Sequence, residues 1–309
     1  MSRTLSMLFA ALLAGGAARA EVPAVAADIA PVHSLVARVM QGLGAPELIV
    51  PATASPHGYA LRPSEAAALA RAGVVFWVGP DLDPWFGEAV ASLAPDAVAV
   101  ELMDAPGTTE LAARQDALFE PEAEDPAEAA GGHEHAHGPH DPHAWLDPRN
   151  AAAWLDAIAA ALAAADPENA AAYATNAVAG KAELAALSGE IAATLAPVRG
   201  RPFIAFHDGY QYFERGFDFP AAGAIALSDA SQPGPARLRQ VRDLIVDEGV
   251  ACVLAEPQHN PDLVATVIDG TPTRSASLDD IGAGLQPGPT LYPELLRGIA
   301  RSLAGCLTP

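Results

Sequence analysis

The chain has 309 residues, with 38 Asp and Glu against 17 Lys and Arg, so its formal net charge is −21 at pH 7. A surface this acidic repels phosphate backbones, which excludes nucleic acid as an expected partner. The length is more than one small core requires and favours two lobes. No stretch reaches about 18 uninterrupted apolar residues, so no membrane-spanning helix is predicted.

The first twenty residues are organised like a secretory signal peptide. Arg3 gives a positive charge, residues 5–13 are apolar, and Ala18-Arg19-Ala20 places small residues at a cleavage site. The apolar segment is too short to span a bilayer. We therefore expect residues 1–20 to be removed during export, so that the mature chain begins at Glu21.

Strands and helices alternate along the rest of the chain, which is typical of a parallel α/β sheet. In the first half, strands are predicted at 25–29, 47–50, 74–78 and 97–101, with helices ending near 41, at 63–71 and at 148–165. In the second half, strands are predicted at 202–206, within 217–225, at 251–255 and at 273–277. The helices there begin near 209 or span 235–248, 261–268 and 291–307.

A helix of roughly 29 residues from Pro167 to about Leu195 would be about 43 Å long and would join the two halves. The predicted domains are an N-terminal lobe over 21–165, a linking helix over 166–196 and a C-terminal lobe over 197–309. Residues 116–141 interrupt the first lobe with an acidic, His-rich stretch that has too little apolar surface to fold, so a mobile loop is predicted. The expected fold class is therefore α/β, with two lobes of mainly parallel sheets facing a cleft.

Histidine is the most informative residue type in the chain. Five of the nine histidines crowd into one stretch: His133, His135, His137, His140 and His143. His57 and His207 stand alone after predicted strands. Neutral imidazole is a frequent zinc ligand. We therefore expect a rigid metal site in the cleft and weak metal sites in the loop at His133, His135, His137 and His140; a solvated linker is the alternative interpretation of the loop.

Four short segments around these residues form one pattern. They are residues 55–64 (SPHGYALRPS), 141–143 (DPH), 206–208 (FHD) and 255–258 (AEPQ). Together with the His-rich loop, they resemble the zinc-binding cluster A-I solute-binding proteins, which are periplasmic zinc receptors of ABC importers. The resemblance covers essentially the whole exported chain. It implies two α/β lobes joined by a long rigid helix, with the metal in the cleft between them.

The resemblance also implies the zinc ligands: His57 and His143 from the first lobe, with His207 and Asp279 from the second. Members of the family differ in the fourth ligand, and Glu256 or a water is the open alternative to Asp279. Asp280 is its immediate neighbour. Three imidazoles and one oxygen favour tetrahedral Zn²⁺.

Cys252 and Cys306 are the two cysteines, and such a pair in an exported chain favours a disulfide over two buried thiols. Zinc members of the family often join the matching pair.

The expected function is a periplasmic, high-affinity zinc receptor that delivers Zn²⁺ to an inner-membrane ABC permease without turning anything over. It would act as a monomer, and a periplasmic zinc chaperone is a further expected partner. A zinc buffer or metallochaperone is one alternative. A zinc hydrolase using Asp208 or Glu256 as its base is another, but the chain lacks a His-Glu-x-x-His signature.

Overall fold

A computed structural model describes residues 22–116, 119, 139–228 and 233–309. These residues form two four-stranded sheets in which every strand pair is parallel. The first sheet has the order β2-β1-β3-β4, from β1 (Val25–Ala27), β2 (Glu47–Leu48), β3 (Val74–Trp77) and β4 (Val98–Glu101). The second has the order β6-β5-β7-β8, from β5 (Phe203–His207), β6 (Gly223–Ala226), β7 (Cys252–Ala255) and β8 (Arg274–Ser277). The predicted fold class is confirmed.

Helices connect and cover these strands. They are α1 (Ala30–Val39), α2 (Pro63–Arg71), α3 (Pro84–Leu93), α4 (Pro148–Ala165), α5 (Ala170–Leu195), α6 (Gln211–Phe217), α7 (Pro235–Asp247), α8 (Asp262–Ile268) and α9 (Leu291–Leu307). Proline opens α2, α3, α4 and α7, where its missing N–H costs no helical hydrogen bond. None of the helices in the described ranges is long and apolar enough to cross a membrane.

The predicted central helix is α5, with 26 residues and a length of about 39 Å. Short 3₁₀ turns precede and follow it at Pro167–Asn169 and Ala196–Val198. Its buried residues recur at intervals of three and four, from Tyr173 to Leu195, and they pack mainly against α4 and α9. At Gly180 a Cβ would lie 2.9 Å from the side chain of Leu155, so glycine allows the close approach to α4. This packing gives the molecule a stiff spine.

The C-terminal helix α9 is tied to both lobes. Cys306 on α9 forms the predicted disulfide with Cys252 on β7. The backbone N–H of Tyr292 donates to the hydroxyl of Ser34 on α1, at 2.9 Å. One continuous hydrophobic cluster accordingly includes residues of both lobes, α4, α5 and α9.

Some element bounds differ from the sequence predictions. The strands predicted at 25–29 and 47–50 are each two residues shorter, and His207 is the last residue of β5 instead of following it, because the strand still pairs there with Ala226. The predicted signal peptide at 1–20 lies outside the described residues. So does most of the predicted loop, including His133, His135 and His137.

Candidate metal centre

The second sheet builds one half of the site. β5 and β7 pair in parallel with Phe203 opposite Cys252, so His207 at the end of β5 lies beside Glu256, which directly follows β7. The imidazole of His207 is buried, and its Nδ1–H donates to both carboxylate oxygens of Glu256, each at 2.8 Å. Because the carboxylate accepts this hydrogen, the neutral form of His207 has its lone pair on Nε2.

A local contact builds the other half. His143 is buried just before a 3₁₀ turn at Ala144–Leu146. Its Nδ1–H donates to Oδ1 of Asp141 at 2.7 Å, and its backbone N–H donates to the same oxygen at 3.0 Å. The same reasoning leaves the lone pair of His143 on Nε2.

The two Nε2 atoms face each other across the cleft at 3.3 Å. Two ligands on a tetrahedral zinc ion with Zn–N bonds of 2.0–2.1 Å are about 3.3–3.4 Å apart. Two lone pairs aimed at one point repel unless a cation or a proton lies between them. The spacing therefore fits a shared metal ion.

His57 lies beside this pair. It belongs to a 3₁₀ turn at Pro56–Gly58, which the indole N–H of Trp85 holds by donating to the carbonyl of Pro56 at 2.8 Å. The ring centroid of His57 is 6.1 Å from that of His143, and that of His143 is 5.1 Å from that of His207. The structure therefore brings the three predicted histidines to one end of the cleft.

The two adjacent aspartates of the second lobe have different contacts. Asp280 offers a carboxylate oxygen within 4.8 Å of ligand nitrogens on His143 and His207. Oδ1 of Asp279 instead accepts the backbone N–H groups of Ile281 and Gly282, at 3.2 and 2.8 Å. The predicted ligand Asp279 thus stabilises its own loop, and the neighbouring residue contributes to the cluster.

Asp280 lies in a buried and hydrogen-bonded setting. Burial raises the pKa of Asp280 to about 7, although the nearby His207 lowers it. The indole N–H of Trp145 donates to the backbone carbonyl of Asp280 at 2.8 Å. The hydroxyl of Tyr292 in turn donates to the carbonyl of Trp145 at 2.6 Å. These bonds hold the Asp280 loop against the first lobe.

Glu256 is surrounded by donors. Besides His207, it accepts the hydroxyl of Tyr210 at 3.1 Å and lies 3.4 Å from Nε2 of His259. The ring of His259 stacks on Phe206 with centroids 4.3 Å apart. Burial, with Glu256 nearby, raises the pKa of Tyr210 well above its usual range, so Tyr210 stays a hydrogen-bond donor. Glu256 therefore orients His207.

Gly209 leaves the space beside Nε2 of His207 open. A Cβ at this position would lie 2.2 Å from Nε2 of His207, well inside van der Waals contact. Any other residue would push the ring away or fill the space in front of its lone pair.

His140 is the one loop histidine within the described residues. It is 44% exposed, with Nδ1 at 3.3 Å from Asp81 and Nε2 at 3.8 Å from Glu110. These contacts place it at the surface, apart from the buried pair.

The arrangement can hold one divalent cation through imidazole nitrogen and carboxylate oxygen, and the sequence comparisons agree with that chemistry. Residues 25–306 match the family described as ZnuA, zinc-uptake complex component A, periplasmic. The chain belongs to the ZnuA family.

Relatives in this ZnuA family match the chain over nearly its whole length. The high-affinity zinc uptake system protein ZnuA of Brucella suis biovar 1 (strain 1330) is 43% identical over 326 residues, which is 98% of this chain and 97% of the relative. The protein of that name from Paracoccus denitrificans (strain Pd 1222) is 43% identical over 340 residues, or 99% of each chain. A crystal structure of ZnuA matches with a TM-score of 0.76 and 23% identity, covering 93% of this chain and 100% of that one, and so supports the fold.

Proposed function

We propose that this ZnuA-family protein is a periplasmic receptor that captures Zn²⁺ between its two lobes and delivers it to an ABC-type permease. The observation that carries the proposal is the pair of Nε2 atoms of His143 and His207, which face each other at 3.3 Å with their hydrogens directed to carboxylates. Imidazole ligands at tetrahedral spacing suit Zn²⁺ better than the hard cations Mg²⁺, Ca²⁺ or Mn²⁺.

The proposed ligands are His143 and His207, with His57 closing the site from the first lobe. For the oxygen ligand we propose Asp280 in place of Asp279, because Asp280 has an oxygen within 4.8 Å of ligand nitrogens on both histidines, whereas Oδ1 of Asp279 accepts two backbone N–H groups. We also propose that the loop histidines bind zinc weakly and raise its concentration near the cleft.

Capture is favoured over catalysis by the surroundings of the two candidate bases. The carboxylate of Asp208 accepts a hydrogen bond from Arg114 at 2.9 Å, and that of Glu256 accepts from His207 and Tyr210. A general base needs an oxygen within reach of a metal-bound water, and both carboxylates are engaged elsewhere. We propose that the protein turns nothing over.

Location and partners complete the proposal. Residues 1–20 would direct export and be removed, and the mature protein would act as a monomer. The zinc would pass to the permease, with a periplasmic zinc chaperone as a further partner. Zinc uptake into vesicles carrying the cognate permease should then require this protein.

The test is metal analysis and zinc titration of the exported protein, with mass spectrometry to check that the chain begins at Glu21. One tight zinc per chain is expected, and His143→Ala, His207→Ala and His57→Ala should each lose tight binding. Asp280→Asn should weaken binding, whereas Asp279→Asn is the matched control because its amide oxygen can still accept both N–H groups.

Deleting residues 120–138 should remove only weak binding. Tight binding that survives in His143→Ala or His207→Ala would refute the capture site, and a loss confined to Asp279→Asn would return the fourth position to that residue.

A further inference from the structure

The base of the His-rich loop forms a paired structure that reaches the second lobe. Ala112 and His140 form an antiparallel bridge. The N–H of Asp141 donates to the carbonyl of Leu111 at 2.9 Å, and the N–H of Ala113 donates to that of Pro139 at 3.1 Å. We call the two segments 111–114 and 139–141 the strap. It belongs to the first lobe, because it follows β4 and precedes α4.

Tyr212 on α6 fastens both segments of the strap to the second lobe. Its hydroxyl oxygen accepts the N–H of Leu111 at 2.9 Å, and its O–H donates to the carbonyl of Asp141 at 3.0 Å. The side chain of Tyr212 is fully buried. A hydroxyl that both donates and accepts thus closes a hydrogen-bonded link across the lobes.

Arg114 provides a second, ionic link. Its Nη1 donates to Asp208 at 2.9 Å and its Nη2 donates to Glu214 at 2.8 Å. The two carboxylates are only 5% and 4% exposed. The guanidinium also lies over the ring of Phe119, 3.9 Å from its centroid. Buried carboxylates left without their cation are strongly disfavoured, so the second lobe holds the strap firmly.

Both links end next to the metal-facing histidines. Asp208 directly follows His207, and Asp141 is the residue whose carboxylate orients His143. Pulling the lobes apart along this side would break the contacts of Arg114 and Tyr212 before or together with the separation of the two imidazoles. The stiff spine of α4, α5 and α9 does not include these contacts of Arg114 and Tyr212.

We propose that the strap latches the two lobes closed around the captured zinc, with Arg114 and Tyr212 as positioning residues that control how fast the metal leaves. This inference rests on the proposed zinc capture. Neither residue touches the metal. Loss of the latch should therefore raise the dissociation rate and leave the ligand set unchanged, as is common when one partner of a buried ion pair is removed.

The test compares Arg114→Met with Arg149→Met in the mature protein loaded with zinc. Arg149 is the control for a buried ion pair within one lobe: its side chain is more exposed than that of Arg114, at 67% against 24%, but it donates three side-chain hydrogen bonds to the buried carboxylate of Asp147, and both residues lie in the first lobe. Zinc release is followed by stopped-flow mixing with excess chelator, and Co²⁺ absorption reports the ligand geometry. Arg114→Met should speed release by about tenfold, with the association rate and the Co²⁺ spectrum unchanged, and Arg149→Met should match wild type.

Two further variants test whether faster zinc release comes from loss of the latch or from misfolding around unpaired buried charges. Combining Arg114→Met with Asp208→Asn and Glu214→Gln removes the unpaired buried charges, and it should release zinc as fast as the single variant. Tyr212→Phe should speed release by a smaller factor, of about threefold, because it breaks neutral hydrogen bonds only. Wild-type release rates in the triple variant would overturn the latch. A wild-type protein that binds no zinc tightly would instead refute the proposed function itself.

Discussion

The two lobes have the same sheet topology but position their proposed metal ligands differently. In each sheet the first strand in sequence is central, between the second and third strands, and the fourth lies at the edge. In the second lobe, His207 is itself the end of the first strand. In the first lobe, His57 and His143 lie in 3₁₀ turns or loops, outside the strands. The second lobe therefore contributes to the candidate site from a strand of its sheet, and the first lobe contributes from turns and loops outside its sheet.

The difference extends to the carboxylates that orient the imidazoles. Glu256 is 49 residues from His207 and reaches it only because β5 and β7 are neighbours. Asp141 is two residues from His143 and needs little more than a tight turn. The second lobe thus presents His207 from a strand of its core, whereas His143 of the first lobe is oriented by Asp141, a residue of the strap.

A substitution at Gly209 should have the largest effect on the half of the candidate site that contains His207. In Gly209→Ala, the new methyl group would press on Nε2 of His207, so zinc affinity should fall by about 100-fold or more, as expected when a ligand is misoriented. Competition titration against a chelator measures the loss. Gly189→Ala is the control, because no atom lies within 4 Å of its Cβ position and alanine favours the interior of α5. Equal affinities for the two variants would show that the close approach is irrelevant.

A milder pair of substitutions compares the two orienting carboxylates directly. Glu256→Gln should weaken zinc binding by about 10–100-fold, the usual range for a residue behind a metal ligand. It disturbs Tyr210 and His259 as well as His207. Asp141→Asn should cost less, towards the lower end of that range, because an amide oxygen can still accept both N–H groups of His143. If Asp141→Asn weakens zinc binding more than Glu256→Gln in the same titration, zinc affinity depends more on the orienting carboxylate of the first lobe than on that of the second.

Much of the candidate site has local signals in the sequence, and its metal ligands stay a prediction. The alternation of strands and helices along the chain predicted both sheets. His57, His143 and His207 stand in short segments with Pro, Gly or aromatic neighbours. The long central helix was also predictable, because an unbroken helical stretch from Pro167 to Leu195 is a local signal.

Other features depend on contacts that sequence spacing does not reveal. Asp279 and Asp280 are adjacent, and only the folded loop shows that Asp279 accepts its own backbone N–H groups while Asp280 joins the cluster with the histidines. Arg114 is 94 residues from Asp208, and Tyr212 is 101 residues from Leu111. Such pairs form only when both lobes are folded and docked, so no local pattern predicts the strap.

The acidic residues that follow each lobe's first strand form a second contrast. Asp208 of the second lobe is paired with Arg114, yet burial still raises its pKa to about 7. Asp28 of the first lobe is fully buried and accepts the N–H groups of Ile29 and Val78, at 2.6 and 2.7 Å. Burial raises the pKa of Asp28 to about 7 as well.

Beside Asp28 lies Asp83, which is also fully buried, and neither of its oxygens has a hydrogen-bond partner in the described part of the chain. Burial, reinforced by the charge of Asp28, raises the pKa of Asp83 well above its usual range. Where the second lobe places an arginine beside its acid, the first lobe places a second acid whose raised pKa favours the protonated form.

Replacing Asp83 should have the smallest effect and a distinctive pH dependence. Because the folded state raises the pKa of Asp83, the protonated acid is compatible with folding, and stability is lost as pH rises above the unfolded pKa of about 3.9. Asp83→Asn mimics the protonated form, so it should stabilise the metal-free protein by about 1 kcal/mol at pH 8 and by less at pH 5. Urea unfolding at both values measures this, with the exposed Asp96→Asn as control. A gain that is equal at the two pH values, or equal to that of the control, would mean that the first lobe does not depend on a buried proton.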